Sequence, residues 1–352
     1  MIFPAVDTPN VLIDRDVVMR NISQYQAYCT KHGIGLRPHI KTHKIPEFAQ
    51  MQVTAGAIGI TCQKISEAEI MAAAGLKDIL LTYNILGDHK LKKLKTLAGQ
   101  VNLTVVADNL KVIDGLSEAF ADTKNPLKIL VECDTGALRC GVITSSQAAD
   151  LALKIDQASG LTFHGLMTYP TKDGTLNVQN WMTEAVEKCS ELGLECAIIS
   201  GGGSPDMWRA HEAPIVTEYR IGTYIYNDRS LVNRGVCTWE DCALSVLVTV
   251  ISTPDINRAV VDAGSKVLTT DPFGLKGFGH VLGRPDLNIH ALSEEHGVLS
   301  SDNEVIGLNV GDRLQIIPNH CCVVSNMVDS VIVHRSGEDL QEVKVAARGC
   351  VR

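Results

Sequence analysis

A chain of 352 residues, 45% hydrophobic and 20% charged, is long enough to bury one large core and a smaller second one. Its net charge of −8 argues against nucleic acid or an anionic membrane surface as the main partner, so any local basic cluster needs a local explanation. Eleven cysteines, an odd number without the spacing of a small disulfide framework, fit reduced thiols in a cytoplasmic protein.

The start, MIFPAVDTPN, carries no basic-then-apolar leader, and no apolar run of about 18 residues follows, so a soluble protein without a targeting segment is expected. NVLID reads as a short strand, and the helix after it places Val18, Ile22, Tyr25 and Cys29 at spacings of four, three and four. GIGLRPHI is extended, because Pro38 disfavours helix at Arg37. Strand patterns then recur as AIGITC, DILLTYN, NLTVVAD, LKILVECD, LTFHGLMTY, CAIISGG and VTEYRIGTY, with helical segments such as SEAEIMAAAG and SSQAADLALKIDQA between them. Eight strand-helix units predict an α/β fold, a closed (β/α)8 barrel in preference to an open parallel sheet. After about residue 236 the texture changes to short apolar runs separated by Gly, Pro and Asp, such as CALSVLVTVIST and RLQIIPNH, which predicts a β-rich second domain. The expected domains are a barrel over 15–235 and a β-rich domain over 236–352.

Polar residues collect where strands give way to loops, the rim at which barrels carry their chemistry. Lys41 closes the first strand in RPHIKTHK, among Arg37, His39, His43 and Lys44. Nearby cations and desolvation both disfavour a protonated amine, which suits a lysine that forms a Schiff base; a lysine on a polar rim is the plainer reading. SGGGSP follows the seventh strand, and Gly201, Gly202 and Gly203 let backbone amides approach an anion, as loops after strands seven and eight often do for phosphate. Gly222 and Thr223 form the eighth-strand counterpart. A rim lysine and a phosphate cradle together point to an aldehyde-bearing phosphate cofactor, for which pyridoxal 5'-phosphate fits. Arg139 in ECDTGALRCG is then a candidate donor to the cofactor's ring oxygen, or else a surface ion-pair residue. Tyr169 can stack on the cofactor or simply pack the strand end. His39, Gln63 and Ser200 complete the candidate cofactor-binding set. In the second domain, PNHCC puts His320 and Cys322 on one side of an extended segment, where both could bind one metal; a buried cysteine beside a hydrogen-bonded histidine is the alternative. Two protein ligands leave positions open for water or substrate.

DTPNVLID, RPHIKTHK, GITCQKISEAE, DTGALRCGV, SGGGSP, TEYRIGTY, LSEEHG, PNHCC and VAARG resemble, in that order, the D-threonine aldolase and D-serine dehydratase family, whose members share the alanine-racemase-type fold. The resemblance runs nearly end to end. It implies that Lys41 carries pyridoxal phosphate and is catalytic with Tyr169, that Arg139 contacts the cofactor, and that the glycines with Thr223 hold its phosphate. It also implies a divalent metal (Mn, Mg, Co or Zn) at His320 and Cys322, an N-terminal strand over 1–14 that packs with the C-terminal domain, and a homodimer.

The implied activity is metal-assisted cleavage of D-3-hydroxy amino acids to glycine and an aldehyde. Elimination to a 2-oxo acid and ammonia, as on D-serine or D-3-hydroxyaspartate, is the alternative. CQKISEAE and LTYNI look like the aldolase branch, whereas HCC looks like the dehydratases, and YPTKDGTLNVQN lacks the histidine that aldolases can carry after the tyrosine. A racemase would leave the metal pair without a role, and a non-catalytic pyridoxal phosphate carrier would need only the barrel.

Overall fold

The computed structural model describes residues 2–352. Strand β1 (Asn10–Asp14) and helix α1 (Arg15–Lys31) occupy the segments their sequence predicts. Asp14 ends the strand and caps the helix, its Oδ1 accepting from the backbone N–H groups of Asp16 at 2.9 Å and Val17 at 3.2 Å. Val18, Ile22, Tyr25 and Cys29 are all buried, as their shared helix face requires.

The chain divides into two compact units. One contains Gln24–Lys41, Pro46–Gly222 and Cys350–Arg352. Within it run eight parallel strands: β2 (Gly35–Leu36), β3 (Ile60–Cys62), β4 (Asp78–Leu81), β5 (Asn102–Ala107), β6 (Leu127–Cys133), β7 (Leu161–Thr168), β8 (Ile198–Gly201) and β9 (Glu218–Tyr219). Between them lie α2 (Pro46–Thr54), α3 (Ile65–Ala73), α4 (Asp88–Ala98), α5 (Leu110–Phe120), α6 (Ser145–Asp156) and α7 (Thr175–Glu191). The ladder order is β2-β9-β8-β7-β6-β5-β4-β3. A parallel bridge between His39 and Thr61, with Thr61 N–H donating to Pro38 O at 2.7 Å, joins the two ends and closes the barrel.

Leu80, Val106, Leu130 and Met167, with Ile198, pack as one cluster contributed by five successive strands. Beside it lies a buried polar network. Arg37 donates to Glu218 at 2.8 Å and to Asp78 at 2.5 Å; Ser200 donates to Glu218 at 2.6 Å; Arg220 donates to Ser200 at 2.5 Å and to Thr168 O at 2.8 Å. Two of the sequence expectations change here. Lys41 does not end the first strand: beyond Leu36 the backbone N–H groups of Arg37 and His39 still donate to Tyr219 O at 3.0 Å and Ile221 O at 2.7 Å, and Ile40–Thr42 then wind into a 3-10 turn that carries an exposed Lys41. Arg37 is not a cation facing that lysine, because two carboxylates hold its guanidinium inside the unit.

The other unit contains the segments up to Ser23, Thr42–Ile45 and Thr223–Gly349. Its strands are β10 (Leu244–Asp255), β11 (Arg258–Val261), β12 (His280–Val281), β13 (Leu287–Leu292), β14 (Gly297–Ser301), β15 (Arg313–Ile317), β16 (Ser330–Arg335) and β17 (Glu338–Lys344). Three short helices interrupt them, α8 (Arg229–Asn233), α9 (Ser265–Leu268) and α10 (Cys321–Met327). Strand β1 lies between β10, antiparallel, and β16, parallel, so the N-terminal strand is an interior strand of this sheet. The change of texture at residue 236 and the division at Thr223 differ because residues 223–243 are tied into this unit: Asn21 donates to Ile225 O and Asp241 O, and Ala243 N–H to Tyr226 O. Among the described residues no helix is long and apolar enough to cross a membrane.

Candidate active site

Two groups of candidate residues assemble, one in each unit. In the barrel unit, the ring of Tyr169 lies under the guanidinium of Arg139, 4.5 Å from ring centroid to Cζ, so the arginine stacks where a surface ion pair was the plainer expectation. The Arg139 loop is shaped by Asp134, whose Oδ1 accepts from Gly136 N–H at 2.9 Å and Leu138 N–H at 3.1 Å. His39 Nε2 meets Gln63 Oε1 at 3.2 Å, and the Gln63 amide donates to Thr82 O at 2.9 Å, fixing both side chains.

The three glycines are not equivalent. Gly202 has φ +131, and a Cβ there would meet the Arg220 backbone nitrogen at 2.5 Å, so only glycine fits. Gly203 is extended, and its Cβ direction is open, with the nearest atoms, in Pro205 and the Tyr169 ring, at 3.7 Å. Gly201 packs on Val216. Ser200 is fully buried, with its hydroxyl donating to Glu218 and accepting from Arg220, so its Oγ serves the interior network. The exposed Lys41, an arginine stacked on Tyr169, and an unobstructed Gly203 beside that same ring make a set that fits a phosphorylated aromatic aldehyde.

Glu132 was not among the sequence candidates. It follows Leu130 by two residues and so faces the same side of β6, one step nearer the strand end. It is 4% exposed, and burial, with Asp108 beside it, pushes its carboxyl up to about 7 against the pull of Arg139 and Arg220. Arg220 is pushed down to about 10 by burial, a shift that Glu218 and Glu132 oppose.

In the other unit, His320 and Cys322 come together, though not on an extended strand. His320 is the N-cap of α10, with φ −139 and ψ 122, and Cys322 is the helix's second residue. Cys321 is fully buried, and its thiol hydrogen-bonds to that of Cys322 instead of facing away from it. The His320 ring is oriented by Asp228, fully buried, whose Oδ2 lies 2.8 Å from Nδ1. The same carboxylate accepts from Cys321 N–H at 3.2 Å, from Ser230 Oγ at 2.6 Å and from Leu231 N–H at 3.2 Å, the last as the cap of α8. With Nδ1–H committed to Asp228, Nε2 is the nitrogen left for a metal, whose binding would displace its proton.

Cys322 Sγ lies 3.1 Å from Thr42 Oγ1 and 3.9 Å from Thr223 Oγ1, so Thr223 neighbours the thiol. A hydrogen bond from the Cys321 thiol, then the charge and hydrogen bond of His320, hold the Cys322 thiol well below its usual range. Burial lowers His320, but Cys322 and Asp228 outweigh it and push the ring up to about 10. An imidazole with a carboxylate behind it and a readily ionised thiol form a nitrogen-sulfur donor pair that fits a divalent metal. Asp228 and Thr42 escaped the sequence reading. The aspartate in YIYND shows only a capping signal, and its histidine is 92 residues away.

A closed barrel with this rim set, together with a strand-rich unit holding a histidine-cysteine pair, defines an alanine-racemase-type architecture. The model for "Alanine racemase, N-terminal domain" matches residues 13–230, and that for "Putative serine dehydratase domain" matches residues 243–334. D-threonine aldolase of Arthrobacter sp is 32% identical over 99% of this chain and 94% of its own length. 3-Hydroxy-D-aspartate aldolase of Paracoccus denitrificans is 32% identical over 98% of this chain and 92% of its own. The solved D-threo-3-hydroxyaspartate dehydratase, as a cysteine-to-alanine variant in the metal-free form, superposes with a TM-score of 0.89 at 28% identity, covering 98% of each chain. The chain therefore belongs to the alanine racemase-like family that includes the D-threonine and 3-hydroxy-D-aspartate aldolases, a family that implies pyridoxal 5'-phosphate.

Proposed function

We propose that this protein is a pyridoxal phosphate- and divalent-metal-dependent lyase that cleaves D-3-hydroxy-α-amino acids to glycine and an aldehyde. The observation that carries the reading is the His320–Cys322 pair with Asp228 behind it, a prepared metal site that a racemase would leave unused. When bound, pyridoxal phosphate stores the electron pair released at the α-carbon and the metal acidifies the substrate's 3-hydroxyl. Lys41 holds the cofactor through its amine, and Arg139 and Tyr169 flank the ring as a stacked pair. The backbone of Gly201, Gly202, Gly203 and Gly222, with Thr223, receives the phosphate, while Ser200 supports this loop from the interior through Arg220. His39 and Gln63 fix one another beside the lysine turn. His320 Nε2 and Cys322 Sγ bind the metal.

Elimination to a 2-oxo acid and ammonia is the second reading. The sulfur donor at Cys322 favours it, since the dehydratase relative is found metal-free as a cysteine-to-alanine variant. The proposal includes a homodimer, and a cytoplasmic setting suits eleven free cysteines. Incubation of the metal-loaded holoenzyme with D-threonine, D-serine and D-3-hydroxyaspartate tests it. Glycine plus an aldehyde supports cleavage, whereas ammonia plus a 2-oxo acid supports elimination. Turnover that survives chelation would remove His320 and Cys322 from the reaction.

A further inference from the structure

Arg229 follows the aspartate that orients His320, and it differs from the other arginines that burial acts on. Arg37, Arg220 and Arg284 each have carboxylates opposing the effect of burial. Arg229 is half-buried, burial pushes its pKa down, and among the described residues no carboxylate opposes the shift. Among the described residues its guanidinium makes one hydrogen bond, from Nη1 to Asn319 Oδ1 at 3.0 Å.

Asn319 immediately precedes His320. Its amide donates to Asp271 O at 3.2 Å and Gly277 O at 2.8 Å, fastening the loop whose Phe273 ring lies 4.5 Å from the His320 ring. Arg229 and His320 are thus held together through two neighbouring contacts, Asp228 to His320 and Arg229 to Asn319. A half-buried guanidinium with donors left over can take an anion, and its planar fork matches a carboxylate.

We propose that Arg229 is the anion-binding residue of the metal site and takes a carboxylate of the hydroxy amino acid. This rests on the reading that His320 and Cys322 hold a metal that binds the substrate's hydroxyl. Two carboxylates satisfy the chemistry: the α-carboxylate, present in every substrate, and the side-chain carboxylate of 3-hydroxyaspartate, carried on the same carbon as the hydroxyl.

Two unreactive probes separate these sources. Malate is 3-hydroxyaspartate without the amine, and 3-hydroxybutyrate is threonine without it. Their binding to the pyridoxal phosphate- and Co2+-loaded enzyme is measured by calorimetry for wild type, Arg229→Gln and Arg229→Lys, with the cobalt-thiolate absorption recorded in parallel. Glutamine keeps an N–H for Asn319 and removes the charge.

The expected result is a roughly 10–100-fold weaker malate affinity in Arg229→Gln, partly restored by lysine, with the cobalt spectrum unchanged. If 3-hydroxybutyrate weakens equally, Arg229 takes the α-carboxylate; if only malate weakens, it takes the side-chain carboxylate. Equal malate affinity in wild type and Arg229→Gln overturns the proposal and assigns Arg229 to holding the Asn319 loop. A wild type that takes up no Co2+ overturns the metal reading instead, and malate binding that still depends on Arg229 would then keep the anion site.

Discussion

Replacing Asp228 tests the preparation of the metal pair most directly. The carboxylate is fully buried and accepts four hydrogen bonds, from His320, Cys321, Ser230 and Leu231. Asp228→Ala removes one member of a buried ionic contact, a change that costs about 3–5 kcal/mol. About 1 kcal/mol of that total is loss of the α8 cap. Asp228→Asn retains an acceptor for the cap but no longer the negative charge that holds Nδ1–H, so its stability loss is smaller, about 1–2 kcal/mol. Both variants release the ring from a single tautomer and lower metal affinity about 10–100-fold. Denaturant unfolding of the metal-free protein measures the first quantity, and Co2+ or Zn2+ titration against a competing chelator measures the second. A metal affinity within about threefold of wild type in both variants would refute the claim that Asp228 prepares His320 for a metal, even if stability falls as expected.

Lys41→Ala is expected to abolish the absorbance band near about 420 nm and all turnover while leaving the fold unchanged, because the side chain is exposed; a persistent band assigns the cofactor to another amine. Glu132 supplies a pH test on the cofactor-free protein. Its folded carboxyl sits at about 7, above the usual 4.5, so its favourable contribution is complete below pH 4.5 and is lost as pH rises through about 7. Glu132→Gln should therefore exceed wild type in unfolding free energy by up to about 3 kcal/mol at pH 8, and the gap should close towards pH 4.5. A pH-independent gap contradicts the shift. Gly202→Ala should destabilise by about 3 kcal/mol or more, measured by thermal unfolding, since both its φ and the Arg220 backbone exclude a Cβ. Gly203→Ala should leave unfolding near wild type but weaken pyridoxal phosphate binding, read by equilibrium dialysis; unaltered binding would take Gly203 out of the phosphate loop.

The barrel was legible because its signals are local. Each of the eight strand segments read from the sequence contains a strand of the structure, and the four apolar positions of α1 are buried on one face. The residues that break this agreement do so for reasons a linear pattern does not carry. Pro38 keeps the approach to Lys41 extended, and backbone bonds to the neighbouring strand run as far as His39, but the chain then winds into a 3-10 turn that carries the lysine. Arg37 counted as one of five cations in a row until Asp78 and Glu218 were found against it, 41 and 181 residues away.

The same division holds for the candidate site. Residue types and their order along the chain were enough to nominate Lys41, the glycine run and the His320–Cys322 pair, because a rim lysine, a glycine-rich loop after a late strand and an H-x-C spacing are short-range patterns. The tertiary structure decided which atoms of those residues are available. Asp228 commits one nitrogen of His320, Glu218 and Arg220 occupy the hydroxyl of Ser200, and Arg139 lies on Tyr169. It also exposed what no spacing signals, a carboxyl at Glu132 raised by burial and a guanidinium at Arg229 with no acid opposite it. Periodicity and motif spacing are set by bonds within a few residues, whereas ionisation, tautomer and unused hydrogen-bonding capacity depend on neighbours that only folding brings together.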